Sequence, residues 1–350
     1  MMKLQESHKG YKPIAFVNSR LVCYSKGQLW IRNEGGFNPI LNIQDAQWKD
    51  RTRSLCRLFR REPKHAAVIS GNRLLIAYQR KLILADVANR TSTVVATSRE
   101  GFSDPLNICT ECDPWLAVWG DYGPNPEKQG IYIYGLKGDL SVEVIYKFPA
   151  GTIRHIHNIV PRCGGGFFIL AGDTEDTSGI YSVDEEFQKV KAVKTGNQQY
   201  RAVVAFDTEQ GLLYATDSVN EPNHLYLLKK GGSVDEIGVL NGSCIYGTKF
   251  AGDFYFSTTV EPDESNKGLT SWISNKRGKG ILSNKVTLVR VDSKFQVETI
   301  LNFDKDQLPM KLMQYGSIQF PHGISDELWI YPVAVKKYDG TAIRLEADHE

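Results

Sequence analysis

Four acidic residues recur at nearly regular intervals, and each follows an apolar segment. They are Asp121 in LAVWGD, Asp173 in FFILAGD, Asp217 in LLYATD and Glu261 in FYFSTTVE, and successive members lie 52, 44 and 44 residues apart. Two neighbouring carboxyl groups, one protonated and one ionised, are the groups that glycoside hydrolysis uses. The spacing therefore indicates a repeated structural unit that brings carboxyl groups to one place.

A second set of polar side chains stands just before apolar segments. His155 and His157 lie in RHIHNIV, and Tyr200 and Arg201 lie in QQYRAVVAF. Aromatic residues occupy comparable positions later in the chain: Tyr246 in CIYGTKF and Tyr315 in QYGSIQF. Residues two apart in a strand point to the same side, so the two histidines are expected to face one site together.

Short apolar segments rich in Val, Ile, Phe, Tyr and Trp alternate with turns along most of the chain. Each unit contains an apolar strand, a small turn, a second apolar strand and a polar link to a third. The predicted second strands begin near Leu21, Leu74, Trp115, Phe167, Leu212, Phe254 and Leu328. Successive starts lie 53, 41, 52, 45, 42 and 74 residues apart, and all but the last match the propeller-blade period of about 40–50 residues.

This repeat predicts an all-β chain that forms a single β-propeller domain over residues 1–350. We expect seven blades, with six or eight as alternatives. The last interval contains a polar segment at about 263–285, which we interpret as a loop insertion. One stretch, from Gln47 to Pro63, has a helical or irregular pattern, and its arginines are expected on a solvated surface: Arg57, Arg60 and Arg61.

The polar residues should meet if the chain is a propeller. The first and second strands of a blade run antiparallel around one hairpin, so the start of the first and the end of the second lie on the same face. The acids follow second strands, whereas the His, Tyr and Arg side chains stand at the starts of first strands. We therefore expect an acidic, histidine-containing site at the top of the central channel.

The residues from Trp119 to Leu345 resemble a known family. The matching segments are WGDYGPNP, YKFPAGTIRHIHNI, AGDTEDTSGIYSVDEEF, GNQQYRAVVAF, TDSVNEPNHLYLL, TTVEP and KDQLPMKLMQYGSIQFP. They resemble the sialidase-like, BNR-repeat propellers encoded near bacterial surface-polysaccharide genes, and SVDEEF stands where those repeats carry an Asp-box. The resemblance implies a carbohydrate ligand. Sialidases hold a carboxylate with three arginines. In this chain only Arg154 and Arg201 lie in plausible positions for that role, so the resemblance does not imply sialidase activity itself.

The first functional hypothesis is a glycoside hydrolase that acts on a bacterial polysaccharide or oligosaccharide. Two of the acids would work as a pair, with Asp121 and Glu261 as the leading members and Asp173 as a further candidate. Carboxylates, amides and aromatic rings bind sugar hydroxyls and ring faces. The side chains expected to bind the sugar are Tyr122, Arg201, Asp217, Asn223, Tyr246 and Tyr315.

Two alternatives stay open beside the hydrolase. In a polysaccharide lyase acting on a uronic-acid glycan, His155 or His157 and Tyr200 would serve as base and acid, and Arg201 would neutralise the uronate. In the other alternative the chain is a non-catalytic glycan-binding or scaffold propeller. The hydrolase is ranked marginally first.

Composition excludes several partner classes. The 42 Lys+Arg and 40 Asp+Glu residues give a formal charge of +2, which is no footprint for nucleic acid. Without a signal-like or membrane-spanning apolar segment, we expect a cytoplasmic protein with no membrane span. The six scattered cysteines fit reduced thiols. We expect no cofactor, and a divalent metal at His155 and His157 with an acid is the less favoured alternative. The oligomeric state is left open.

Overall fold

The computed structural model describes residues 2–44, 47–265 and 268–347. The strands of the first part of the chain are β1 (Met2–Lys9), β2 (Lys12–Val17), β3 (Arg20–Ser25), β4 (Gln28–Asn33), β5 (Gly36–Asn42), β6 (His65–Ser70), β7 (Arg73–Tyr78), β8 (Lys81–Asp86), β9 (Thr91–Thr97), β10 (Ala117–Gly120), β11 (Ile131–Leu136) and β12 (Val142–Phe148). Two α-helices, α1 (Arg53–Leu58) and α2 (Met310–Met313), are short.

The later strands are β13 (His155–Pro161), β14 (Phe167–Gly172), β15 (Gly179–Val183), β16 (Lys191–Thr195), β17 (Ala202–Thr208), β18 (Gly211–Thr216), β19 (Asn223–Lys229), β20 (Val234–Leu240), β21 (Cys244–Phe250), β22 (Asp253–Thr258), β23 (Lys285–Val291), β24 (Val297–Asp304), β25 (Ser317–Gln319), β26 (Leu328–Val333) and β27 (Thr341–Ala347). Short 3₁₀ helices occur at Trp48–Asp50, Glu175–Thr177, Gln198–Tyr200 and Leu269–Trp272.

These strands form seven sheets, and the chain is an all-β, seven-bladed β-propeller as predicted. The sheets are β2–β5, β6–β9, β10–β12, β13–β16, β17–β20, β21–β24 and the set β25, β26, β27 and β1. The predicted start of each second strand lies within two residues of the observed start of the corresponding strand, which is β3, β7, β10, β14, β18, β22 or β26. The prediction succeeded because short apolar strands at a fixed period are the strongest sequence signal of this architecture.

The chain groups into two compact units. The first contains Met1–Glu62, Asp217–Leu225 and Glu236–Glu350, and the second contains Pro63–Thr216 and Tyr226–Asp235. The prediction of a single domain over residues 1–350 stays a prediction. Of the predicted polar insertion, residues 263–265 and 268–284 lie between β22 and β23, and residues 266 and 267 are outside the described part of the chain.

The second unit has an apolar core beneath β10, β11, β13 and β14. Val118, Ile133, Ile156, Ile159 and Ile169 are buried together there. Each such side chain contributes about 1.5–3 kcal/mol when it is fully buried. This core fixes the ends of β10, β13 and β14, where the polar residues singled out from the sequence stand.

The predicted helical stretch is confirmed, but the solvated surface expected for its arginines is wrong for two of the three. Arg57 is 3% exposed and Arg61 is 5% exposed. The Arg57 Nη1 lies 2.6 Å from the Asp306 carboxylate, and the Arg61 Nε lies 2.9 Å from Asp50. Buried arginines are tolerated where carboxylates pair with them, and such pairing between distant segments leaves no mark on local sequence.

The first strand closes the last sheet. β1 pairs antiparallel with β27, from Met2 opposite Ala347 to Lys9 opposite Thr341. Glu6 of β1 also accepts a hydrogen bond from the Arg32 Nε at 3.1 Å. We expect deletion of residues 1–10 to lower the free energy of unfolding by about 3 kcal/mol or more, because several ladder hydrogen bonds are lost. It should also promote aggregation through the exposed edge of β27.

Urea unfolding and light scattering test this expectation, with Lys3→Ala as the control because it keeps the strand. A truncated chain as stable and as monodisperse as the full chain would show that β1 contributes nothing to the last sheet. Within the described ranges, no helix is long and apolar enough to cross a membrane.

Candidate functional site

The two histidines stand at the start of β13, where a bulge directs both rings to one point. Ile156 pairs with Ala171 and Asn158 pairs with Leu170, so His157 is the extra residue in the pairing of β13 with β14. A bulge of this kind re-aims the side chain that it carries. The two Nε2 atoms lie 3.0 Å apart, and His155 and His157 are 3% and 2% exposed.

Backbone carbonyls hold the other nitrogen of each ring. His155 Nδ1 donates to the Gly123 carbonyl at 2.8 Å, and His157 Nδ1 donates to the Ala202 carbonyl at 2.9 Å. Because a carbonyl only accepts, Nδ1 of each imidazole carries a proton. Each Nε2 therefore faces the site, where it carries a lone pair when the ring is neutral and donates to Asp173 when the ring is protonated.

Asp173 completes the group. It follows β14 directly, and its Oδ1 lies 3.1 Å from the Nε2 of both histidines. Three electron-pair donors therefore face one another at nearly equal distances. Within the part of the chain that the structure describes, these three residues are the one set of His, Cys, Asp and Glu side chains placed to share a metal ion.

Two arginines border the same carboxylate. Arg201 Nη2 lies 3.4 Å from Asp173 Oδ1, and Arg154 Nη1 lies 3.7 Å from Oδ2. Arg201 Nη1 also donates to the Asp173 backbone carbonyl at 3.0 Å. The side chains of Arg154 and Asp173 are 32% and 26% exposed, so a ligand from solvent has access to this part of the group.

The electrostatics keep Asp173 ionised. Burial acts to raise the pKa of this carboxyl, but the two imidazoles and the Arg201 charge outweigh it and hold the pKa well below its usual range. For His155, burial lowers the pKa against the opposing effect of Asp173. At neutral pH the site therefore contains a carboxylate, a neutral His155 imidazole and two guanidinium ions.

Gly172 has a steric role beside the histidines. A Cβ at this position would lie 2.5 Å from His157 Cε1 and 3.3 Å from Arg201 Cγ. The His157 ring cannot move aside for a larger residue at position 172, because its hydrogen bond to the Ala202 carbonyl holds it in place. Glycine is thus required for the close packing of β14 against the His157 ring.

Tyr122 lies on the edge of this group. Its half-buried ring is centred 4.6 Å from the His155 ring, and the Lys64 Nζ lies 3.8 Å from the Tyr122 centroid. The structure thus brings together five of the predicted site residues: Tyr122, His155, His157, Asp173 and Arg201. We name this set, together with Arg154, the His-Asp cluster.

Asp121 and Tyr200 belong to the same unit but have other surroundings. Asp121 accepts from the Tyr132 backbone N–H at 3.0 Å and from the Tyr134 hydroxyl at 3.1 Å, and it pairs with Arg99 at 2.9 Å. Burial raises its pKa, although these partners oppose the shift. Tyr200 packs against an apolar cluster that includes Tyr214. Their catalytic roles stay predictions, and these contacts are typical of structural residues.

Two predicted residues meet in the first unit. Glu261 accepts hydrogen bonds from the hydroxyls of Ser243 and Thr259. The Tyr246 hydroxyl accepts from Gln319 Nε2 at 3.2 Å, and burial with the nearby Glu261 charge raises the pKa of Tyr246 to about 12. These surroundings favour the neutral phenol of Tyr246, which does not suit a role in proton transfer.

The remaining predicted residues of the first unit are more strongly buried or packed. The Asn223 side chain is fully buried, and it bonds to the Ser218 backbone at 2.8 and 2.7 Å. Asp217 is 5% exposed, and its charge adds to burial in raising the pKa of Cys244. Tyr315 packs against apolar side chains. Sugar binding by these three residues stays a prediction.

Lys64 is a site residue that the sequence interpretation missed. It stands directly before β6, which is the position that Arg154 and Arg201 occupy relative to β13 and β17. Applying the same rule of register to the earlier repeats would have found it. The Gly123 and Ala202 carbonyls carry no such signal, because every residue has a carbonyl.

Comparisons with known proteins support the fold. The WD40 β-propeller domain of Doa1 matches over 100% of this chain and 98% of its own, with a TM-score of 0.57 and 10% identity. The AfRom2 CNH domain matches over 100% of both chains, with a TM-score of 0.55 and 8% identity. An oligogalacturonate lyase from Vibrio parahaemolyticus matches over 97% of this chain and 90% of its own, with a TM-score of 0.48 and 10% identity.

The likenesses to the Doa1 and AfRom2 domains show the β-propeller fold and carry no activity with them. No protein-family model and no curated protein sequence matches the chain. The resemblance to the sialidase-like propellers stays a prediction. The function must therefore be argued from the site itself.

Proposed function

We propose that this chain is a polysaccharide lyase that acts on a glycan containing uronic acid. The observation that supports this choice is the placement of two guanidinium groups, Arg154 and Arg201, around Asp173 and the histidine pair. Arginine is the preferred partner of carboxylates because its planar fork matches their two oxygens. The two arginines and one carboxylate leave a net positive charge that an anionic sugar would compensate.

The lyase reaction makes use of this charge. A base removes the C5 proton of the uronate, and the electrons of that C–H bond form the C4=C5 double bond. The C4–O4 bond breaks, its electron pair leaves with O4, and O4 then takes a proton. Carbanion character develops next to the carboxylate, so positive groups that bind the carboxylate stabilise the transition state more than the ground state.

Tyr122 is our assignment for the proton transfer. Its half-buried ring borders the His155 ring at 4.6 Å, and the ammonium of Lys64 beside it favours negative charge on the phenol oxygen as a proton moves. A tyrosine that has taken the C5 proton can pass it to O4, which restores the starting state. This assignment replaces Tyr200, whose ring packs against an apolar cluster.

The hydrolase that was ranked first from the sequence has less support. Both oxygens of Asp121 are bonded to protein groups, and its side chain is 2% exposed. Glu261 is engaged by two hydroxyls. A general acid or nucleophile needs access to the glycosidic oxygen or the anomeric carbon, and these contacts do not favour it.

A product assay tests the proposal. Purified protein is incubated with uronic-acid, sialylated and neutral glycans, and two signals are followed: the ultraviolet absorbance of the C4=C5 double bond and the formation of reducing ends. We expect both signals with a uronic-acid glycan. Tyr122→Phe should abolish them, whereas Tyr200→Phe should retain them.

Other products would overturn the proposal. Reducing ends without absorbance, lost in Asp121→Asn or Glu261→Gln, would establish the hydrolase. Binding without either product across the panel would establish a glycan-binding propeller. Loss of activity in Tyr200→Phe with retention in Tyr122→Phe would return the base to Tyr200 within the lyase.

A further inference from the structure

We propose that His155, His157 and Asp173 bind one divalent metal ion that prefers octahedral coordination, through His155 Nε2, His157 Nε2 and Asp173 Oδ1. A metal ion at these histidines is the less favoured alternative from the sequence. The contacts of the three side chains support the metal ion. Two histidines and one carboxylate are the ligand set of the facial triad, in which three protein ligands occupy one face of an octahedron.

The hydrogen bonds of the two imidazoles leave one nitrogen of each ring for a metal ion. Both histidines donate through Nδ1 to backbone carbonyls, Gly123 and Ala202, so Nε2 is the atom of each neutral ring that carries a lone pair. Asp173 Oδ1, 3.1 Å from each Nε2, is also a lone-pair atom. Three acceptors at this separation repel one another unless a cation or an added proton lies among them. A metal ion satisfies all three at once.

The distances between the three ligand atoms match octahedral coordination. The three atoms are separated by 3.0, 3.1 and 3.1 Å. Ligands about 2.1 Å from an octahedral ion and at right angles to one another lie about 3.0 Å apart. Ligands of tetrahedral zinc at about 2.0–2.1 Å would lie about 3.3–3.4 Å apart. The triangle therefore fits an octahedral ion such as Mn²⁺ or Fe²⁺ better than a tetrahedral one.

The groups behind the three ligands are those that usually support metal-binding side chains. Histidines that bind metals usually donate the other ring N–H to a carbonyl or carboxylate, which fixes the ring and its tautomer. Both histidines do this, with His155 and His157 nearly inaccessible at 3% and 2% exposure. Asp173 is held by Arg201, through its backbone carbonyl and its carboxylate. Each of the three ligands thus has a protein partner that orients it before any ion binds.

The metal ion would take part in the proposed lyase reaction, and this role rests on the proposed function. Three protein ligands leave three octahedral positions for water or for substrate oxygens. Arg154 and Arg201 would direct the uronate carboxylate toward them. A bound ion would neutralise the carboxylate in the transition state, and both histidines would then be ligands instead of bases, consistent with the assignment of Tyr122 to the proton transfer.

A Mn²⁺ titration without any glycan tests the metal site alone. The protein is first treated with EDTA and dialysed, and the electron paramagnetic resonance signal of free Mn²⁺ is followed as protein is added. We expect one ion per chain. Each of His155→Ala, His157→Ala and Asp173→Ala should weaken binding by on the order of 100-fold or more. His224→Ala is the matched control, since His224 pairs with Glu236 at 3.3 Å and is not one of the three ligands.

A measurement on the wild-type chain covers the case in which a ligand variant fails to fold. Co²⁺ in six-coordinate sites gives weak visible bands, whereas tetrahedral Co²⁺ gives intense ones. Weak bands with one ion per chain support the proposal, and intense bands overturn the octahedral assignment. Failure of the wild-type chain to bind Mn²⁺ or Co²⁺ overturns the metal site. Metal binding without glycan cleavage would overturn the lyase and leave the metal site intact.

Discussion

Asp173→Asn should lower kcat/KM for cleavage of a uronic-acid glycan by on the order of 1000-fold, because the proposed metal ion, whose positive charge would stabilise the developing negative charge, would lose its one anionic protein ligand. The amide has nearly the same shape as the carboxylate, so packing against β14 should be retained. It lacks the negative charge that the imidazoles and Arg201 stabilise. It would also be a poorer ligand for the metal ion.

The measurement is steady-state kinetics from the rise in double-bond absorbance, with thermal unfolding as the check on folding. Asp235→Asn is the matched control, because Asp235 is a half-buried residue whose carboxylate pairs with Lys229. Wild-type turnover in a folded Asp173→Asn protein would remove the His-Asp cluster from the catalytic site.

Arg154→Ala should raise KM for a glycan with free carboxylates by roughly 10- to 100-fold, because a charge-assisted hydrogen bond contributes about 1.5–3 kcal/mol. Arg154 is chosen over Arg201 because Arg201 also supports the Asp173 backbone at 3.0 Å. The effect should disappear when the substrate carboxylates are methyl-esterified, since the interaction depends on charge.

Kinetics on the free and the esterified glycan measure this difference. Arg162→Ala is the control, because Arg162 follows the opposite end of β13 and lies over the Phe168 ring at 4.9 Å. An equal loss on both substrates would mean that Arg154 maintains the structure of the site and does not recognise the carboxylate.

The blade repeat was readable from the sequence because each second strand is a continuous apolar run. Leu74, Phe167 and Leu328 mark strands β7, β14 and β26 within one residue of their observed starts. Strand β1 was missed because it pairs along one edge only, and most of its side chains are exposed or half-buried. MKLQESHK therefore lacks the apolar run that marks an inner strand.

Register alone predicted that polar residues follow second strands, but it could not separate their roles. Asp121 and Asp173 occupy the same position in their repeats. Asp121 is engaged by Tyr134 and Arg99, whereas Asp173 faces two imidazoles. The difference arises from side chains on neighbouring strands and segments, and those neighbours are defined only once the sheets have formed.

The convergence of the histidines also exceeds what spacing can predict. A spacing of two residues placed His155 and His157 on one side of β13, and this expectation agrees with the structure. The 3.0 Å approach of their Nε2 atoms depends on the bulge at His157 and on the carbonyls of Gly123 and Ala202. Neither a bulge nor a carbonyl partner has a residue type that reveals it.

The most direct test of the proposed metal site is anomalous X-ray diffraction from crystals grown with Mn²⁺. We expect one strong peak per chain in the His-Asp cluster, about 2.1–2.2 Å from His155 Nε2, His157 Nε2 and Asp173 Oδ1. No peak at this position, with the three side chains in their present contacts, would mean that a proton and not a metal ion joins them. The cluster would then be a hydrogen-bonded group, and the metal-assisted reaction would be contradicted.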